Sequence, residues 1–367
     1  MVSKLSHSQR QAIDYITQYA RTRKSTARKS LMEVLQMSNI PWSTFENACT
    51  KIFSNARVAL HFHPDRLTAD MKTVAQSLLE QGIYKSQFET QISNGSVSAY
   101  SGGGRDLWEK TLFGGAYQLD GVTDDQRPKY GALDVMLSPD GPAPRFGSCY
   151  FLLAPNVSKR CTYTYLDSHQ DPAEKGTYEE FEDILAAIFK DAFFRNDAIG
   201  EKELTPQKLI DHVLINLEQP LRDPSNRKPS RNLNHYIESQ VHGDITLKED
   251  VDILVADPSF KGSSTGNILE QMCMKYSIEL YWHMGFVMKA DEIPSDFRGP
   301  TMPSLAKRIA QNGYIDANVI GAAALDLKRN PEVWKDRGSY EEVLQELKYM
   351  WHTLVRYGNR QMSKPIK

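Results

Sequence analysis

From about residue 58 to 257 the apolar residues fall into short runs, at 58–62, 132–137, 149–153 and 163–166, set apart by Gly, Pro and Asp. Runs this short, bounded by turn formers, read as strands joined by loops. On either side the period changes. Residues 8–60 carry Ile13, Ile16 and Tyr19, then Leu31, Val34 and Leu35, then Phe45, Ala48, Ile52 and Phe53 at helical spacing, interrupted by Pro41. This predicts two or three packed helices. Within the middle, 178–194 and 206–216 are helical, followed by a polar, Pro-bearing loop at 219–232 and strands at 236–242 and 253–257. The tail is helical at 266–276, 302–312 and 340–357, and no internal repeat or low-complexity tract interrupts the pattern. The class is α+β, a β-rich core over 58–300 flanked by helical segments at 1–57 and 301–367.

With 367 residues the chain makes one large domain or two. Lys+Arg 44 against Asp+Glu 46 leaves a net charge of -2, without the bulk attraction on which nucleic-acid and anionic-membrane binders depend. Neither partner is expected. No stretch approaches the ~18 consecutive apolar residues of a membrane span. The polar start MVSKLSHSQRQ has no apolar signal core, so Sec export is not expected. A specialised secretion system reading an uncleaved N-terminus leaves no such mark. Cys49, Cys149, Cys161 and Cys273 share no metal-ligand spacing and read as buried or idle thiols.

Several segments concentrate chemically capable side chains. His61-Phe62-His63-Pro64-Asp65-Arg66 allows three readings: a metal site begun by His61, His63 and Asp65; the His-Pro-Asp tripeptide of chaperone-binding modules; or a strand end at a pocket mouth, where the planar Arg66 fork binds a pyrophosphate. Ser101-Gly102-Gly103-Gly104-Arg105 can bring backbone N–H groups and a cation together on a ligand, although it is neither GxGxxG nor GxxxxGK[ST]. Trp108, Phe113 and a second Gly-Gly follow, suited to stacking on a planar heterocycle or simply to core packing. Arg127-Pro128-Lys129-Tyr130-Gly131 and Arg145-Phe146-Gly147-Ser148 each place a cation, an aromatic and a Gly before an apolar run. In Tyr236-Ile237-Glu238-Ser239-Gln240-Val241-His242-Gly243, an extended backbone puts Glu238, Gln240 and His242 on one face, with Ile237 and Val241 on the other.

These segments, in this order over residues 58–300, resemble a bacterial family long described only as a domain of unknown function, and within it the CteC-like effectors that ADP-ribosylate ubiquitin on threonine. Asp296-Phe297-Arg298-Gly299-Pro300 also carries the match. The resemblance implies an ADP-ribosyltransferase-like split β-sandwich with NAD as co-substrate in its cleft. It further implies a monomeric bacterial effector secreted into the host cytosol, with ubiquitin or another host protein as acceptor. His63, Arg66, Arg105, Phe113, Tyr130 and Ser148 would contact NAD, and Glu238-Ser239-Gln240 would form the acidic strand. Such transferases commonly carry Glu-x-Glu, where this chain has Gln240. Loss of nicotinamide leaves a ribosyl group of oxocarbenium character that a neutral amide cannot balance. Glu238 is therefore expected to be the catalytic carboxylate, with Gln240 orienting the ribose and His242 taking the proton of the acceptor hydroxyl. The competing expectations are a metal-dependent hydrolase using His61, His63 and Asp65, and a non-enzymatic chaperone-interaction module.

Overall fold

The computed structural model describes residues 5–92, 99–218 and 231–360, so all but the end of the loop expected at 219–232 lies outside the described residues. Strands β1 (Arg57–Phe62), β2 (Lys129–Asp134), β3 (Cys149–Leu153), β4 (Cys161–Tyr165), β5 (Lys175–Thr177), β6 (Ile237–Val241), β7 (Val251–Ala256) and β8 (Glu279–Trp282) bond into one sheet in the order β8-β7-β3-β1-β2-β6-β4-β5. All pairs are antiparallel except β7 with β8, whose parallel pairing requires a crossover helix. The longer helices are α1 (His7–Met37), α2 (Trp42–Asn55), α3 (Val74–Gln81), α4 (Gly104–Leu112), α5 (Glu182–Phe194), α6 (Pro206–Asn216), α7 (Ser264–Tyr276), α8 (Met302–Ile309), α9 (Ala317–Arg329) and α10 (Tyr340–Tyr357). Helix α7 is the crossover. The α+β class holds.

Local chemistry sets the ends. Ser6 caps α1 through a reciprocal pair with Gln9, and Ser339 caps α10 in the same way with Glu342. Ala12, Ile16, Ala20, Ala27, Leu31 and Val34 then bury one stripe of α1, which packs on α5. Two amides of the glycine run are already used within the fold: the Gly102 N–H donates to Asp106 at 2.8 Å, and Gly103, the N-cap of α4, donates its N–H to the Tyr100 carbonyl at 2.9 Å. The strand expected at 132–137 begins three residues earlier, at Lys129. One hydrophobic core runs from Ala27 through the sheet to Val355, so both flanking helical segments share it with the middle of the chain. Among the described residues, no helix is long and apolar enough to cross a membrane.

The strands expected in two sheets thus lie in one, but that sheet forks. Strand β1 pairs with β2 only at Arg57–Asp134, Val58–Leu133 and Ala59–Ala132. Beyond Ala59 it bonds only to β3, while Lys129 to Gly131 bond only to β6. Gly131 sits where the two strands part, and a Cβ there would lie 2.5 Å from the Ala59 carbonyl oxygen. A side chain at the crotch would collide with the neighbouring backbone.

Candidate active site

The fork opens into a cavity of 420 Å³, within the range of small-molecule sites. One lip carries His61, Phe62, His63 and Arg66; the other carries Lys129, Tyr130 and Gly131. Arg105 and Trp108 from α4, Arg145 and Phe146, Asp167 and His169, Glu238 from β6 and Lys348 from α10 also reach its wall. Five of the nine residues expected to bind or react therefore meet here: His63, Arg66, Arg105, Tyr130 and Glu238.

Glu238 is not on a solvated strand face, since it is only 5% exposed. The loop carrying Ser168 covers it: the Ser168 hydroxyl donates to Oε1 and the Ser168 amide to Oε2 at 3.4 Å. Gln240 Nε2 donates to the same Oε1 at 2.9 Å. Burial, followed by the nearby Asp167 charge, pushes the Glu238 carboxyl above its ordinary range, and the Ser168 and Gln240 bonds offset part of that rise. The group is poised between its two protonation states rather than locked as an anion.

The cations are equally specific. Among the described residues, neither Arg66 nor Lys348 has a carboxylate within ion-pair distance. Burial lowers Lys348 to about 8, with further lowering from Arg145, Arg66, Arg298 and Arg105 in that order. Like charges crowded on one wall of a partly buried cavity are relieved by a bound polyanion. Arg105 lies 4.6 Å from the Trp108 ring centroid and 5.1 Å from that of Tyr130, so it is held by aromatic faces. The Tyr130 hydroxyl donates to Glu109 Oε1 at 2.8 Å, and Arg127 pairs with the other Glu109 oxygen at 3.0 Å. Burial raises the Glu109 carboxyl to about 7. No spacing in the sequence marks Glu109 or Ser168, and Lys348 looks like any cation on the polar face of a helix.

Four expected site residues stand behind the wall. Gln240 and His242 are fully buried, and neither lines the cavity. His242 spends both ring nitrogens on Tyr117 and Thr162, and burial lowers it to about 3, so it is neutral and out of reach of an acceptor hydroxyl. Phe113 belongs to a small apolar cluster with Ala12, Ile16 and Tyr117, its ring edge-on to His242 at 5.4 Å. Ser148 is buried next to β3, its carbonyl facing His283 Nε2 at 3.0 Å. The expected direct contacts from Phe113 and Ser148 to a ligand are corrected accordingly.

His61 is occupied structurally: the Ala143 amide donates to Nε2 at 3.3 Å, and Nδ1 donates to the Gly147 carbonyl at 3.4 Å. Burial lowers it to about 3. His63 packs against Trp351, and Asp65 lies against Gly321 of α9, away from the cavity wall. Among the described residues, no group of three His, Cys, Asp or Glu is placed to hold a metal ion.

Residues 57–357 match the family described as protein of unknown function (DUF3626), and the chain belongs to that family. No curated protein matches the chain.

Proposed function

We propose that the protein is an NAD-dependent mono-ADP-ribosyltransferase with an ADP-ribosyltransferase-like core, which modifies a hydroxyl side chain of a host protein, with a threonine of ubiquitin as the leading acceptor. A single cavity that contains both a carboxylate held by Ser168 and Gln240, Glu238, and two cations with no ion-pair partner among the described residues, Arg66 and Lys348, carries this reading. The planar Arg66 fork and Lys348 suit the pyrophosphate of NAD, and Trp108 and Tyr130, with Arg105 over their rings, border the cavity in which its flat rings would lie. In the reaction the bond from the ribose anomeric carbon to the nicotinamide nitrogen breaks, and the electron pair leaves with nicotinamide. Glu238, as carboxylate, balances the charge that develops on the ribose. The acceptor oxygen then bonds to the anomeric carbon and gives up its proton. Asp167 and His169, on the wall beside Glu238, take the role of base that the sequence suggested for His242. Delivery as a secreted effector into the host cytosol, close to ubiquitin, belongs to the same reading.

The test is incubation of the protein with NAD and ubiquitin, followed by intact-mass analysis. Gain of one ADP-ribose on ubiquitin, abolished by Glu238→Gln, is the expected result. If NAD is neither consumed nor transferred with ubiquitin or with a host-cell lysate, the proposal fails.

A further inference from the structure

A row of buried hydrogen bonds runs back from Glu238 through the sheet, and every member is fixed. Gln240 Nε2 donates to Glu238 Oε1 at 2.9 Å, and Thr162 Oγ1 donates to Gln240 Oε1 at 2.8 Å. Thr162 Oγ1 and His242 Nε2 are 3.0 Å apart, and the Tyr117 hydroxyl is 2.5 Å from His242 Nδ1. The strand register makes this possible, because Thr162 and Gln240 are directly opposite on β4 and β6.

The proton count gives the row one direction. An ionised carboxylate only accepts, so Gln240 must turn its amide nitrogen toward Glu238. Thr164 agrees: its hydroxyl proton goes to the Leu166 carbonyl at 2.9 Å, leaving an oxygen to face Gln240 Nε2 at 3.5 Å. Gln240 Oε1 then takes the single Thr162 proton, so Thr162 accepts from His242 Nε2–H. His242 is neutral and carries its proton there, so Nδ1 accepts from Tyr117. Four donors thus point the same way, Tyr117 to His242 to Thr162 to Gln240 to Glu238, and such chains strengthen one another in a dry interior.

We propose that Tyr117, His242, Thr162 and Gln240 are positioning residues that act through one another to hold Glu238 in place and to favour its charged form. This rests on the assignment of Glu238 as the reacting carboxylate. Asp167 works against the row by repulsion, the charge of Glu238 also reaches Tyr130 on β2 and Tyr236 just before β6, and the charges of Lys129 and Arg160 reach His242. None of these is altered in the test.

The test uses Thr162→Val, Thr162→Ser and Tyr117→Phe in the full chain. The carboxyl carbon of Glu238 is followed against pH by NMR in protein labelled at glutamate, the signal being assigned by its loss in Glu238→Gln. In parallel, NAD consumption is measured across the same pH range. Thr162→Val removes the hydroxyl at constant size and is expected to raise the Glu238 midpoint by about half a pH unit or more, and the activity limb with it. Tyr117→Phe, two bonds further out than Thr162, shifts both the same way by less. Thr162→Ser keeps the hydroxyl and stays at the wild-type midpoint, although it loses a buried methyl. A packing role predicts the reverse order, Ser worse than Val, and that order overturns the proposal. An unmoved midpoint in Thr162→Val and Tyr117→Phe with normal NAD consumption overturns it alone. Absence of NAD consumption in the wild type sinks the transferase reading, while the titration still decides the row.

Discussion

Glu238→Gln separates catalysis from stability in opposite directions. The substitution keeps the shape, and an amide oxygen can replace Oε1 as acceptor for Ser168 and Gln240. Only the long 3.4 Å bond from the Ser168 amide to Oε2 is lost. The charge that would face the ribose disappears, and removal of one preorganised electrostatic group from a water-poor site costs about 2.7–4 kcal/mol, or about 10²–10³ in kcat. Stability moves the other way. Because folding raises the Glu238 carboxyl midpoint, the folded protein binds more protons than the unfolded chain between the two midpoints. Wild-type stability is therefore full below the unfolded midpoint and is lost as pH rises through the folded one. Each pH unit of that rise is worth about 1.4 kcal/mol. With 367 residues at about 2.1 cal/mol/K each, the unfolding entropy is about 0.8 kcal/mol/K, so each such unit moves Tm by about 2 °C. Scanning calorimetry at pH 5 and pH 8 should show that Glu238→Gln loses less Tm between them than the wild type, while an NAD-consumption assay shows the fall in kcat. Turnover within about threefold of wild type, or a steeper loss of Tm in the variant, would refute the reasoning.

Lys348 deprotonates as pH passes about 8, so NAD affinity is expected to fall between pH 7 and pH 9, and Lys348→Arg should remove that dependence in calorimetric titrations. Arg66→Lys keeps the charge but loses the planar fork, and KM for NAD should rise by about tenfold with Tm unchanged. Arg127→Leu leaves Asp106 and Glu109 buried without their partner and should cost about 3–5 kcal/mol in denaturant unfolding. In Gly321→Ala the new Cβ would lie 1.4 Å from Asp65 Oδ2, so Tm should fall steeply; Asp65→Ala in the same chain should restore part of the loss.

The parts of the fold legible in the sequence are those set by local pattern. Helix α10 is read to the residue, because Ser339 and Glu342 cap it and Val343, Leu347, Met350 and Leu354 keep one period. Strand β3 is likewise read in full from an unbroken apolar run. Strand β2 is read late because Lys129, Tyr130 and Gly131 interrupt its apolar pattern, and helix α9 escapes notice because Ala-rich stretches have weak periodicity. Alternation on β6 correctly groups Glu238, Gln240 and His242 on one face, but it cannot say what covers that face. Ser168 and Tyr117 come from 70 and 125 residues away to do so. The fork is still less visible, since it depends on which strand β1 abandons after Ala59.

The last helix does more than close the core. Trp351 donates from Nε1 to the Pro144 carbonyl at 2.8 Å and lays its ring beside His63, while Lys348, one turn earlier, supplies a cation to the cavity. The lip that carries His63 is therefore tied to α10, a segment far from it in the chain. Loosening α10 would thus change the shape and the charge of the cavity together, while Glu238 keeps its Ser168 and Gln240 partners.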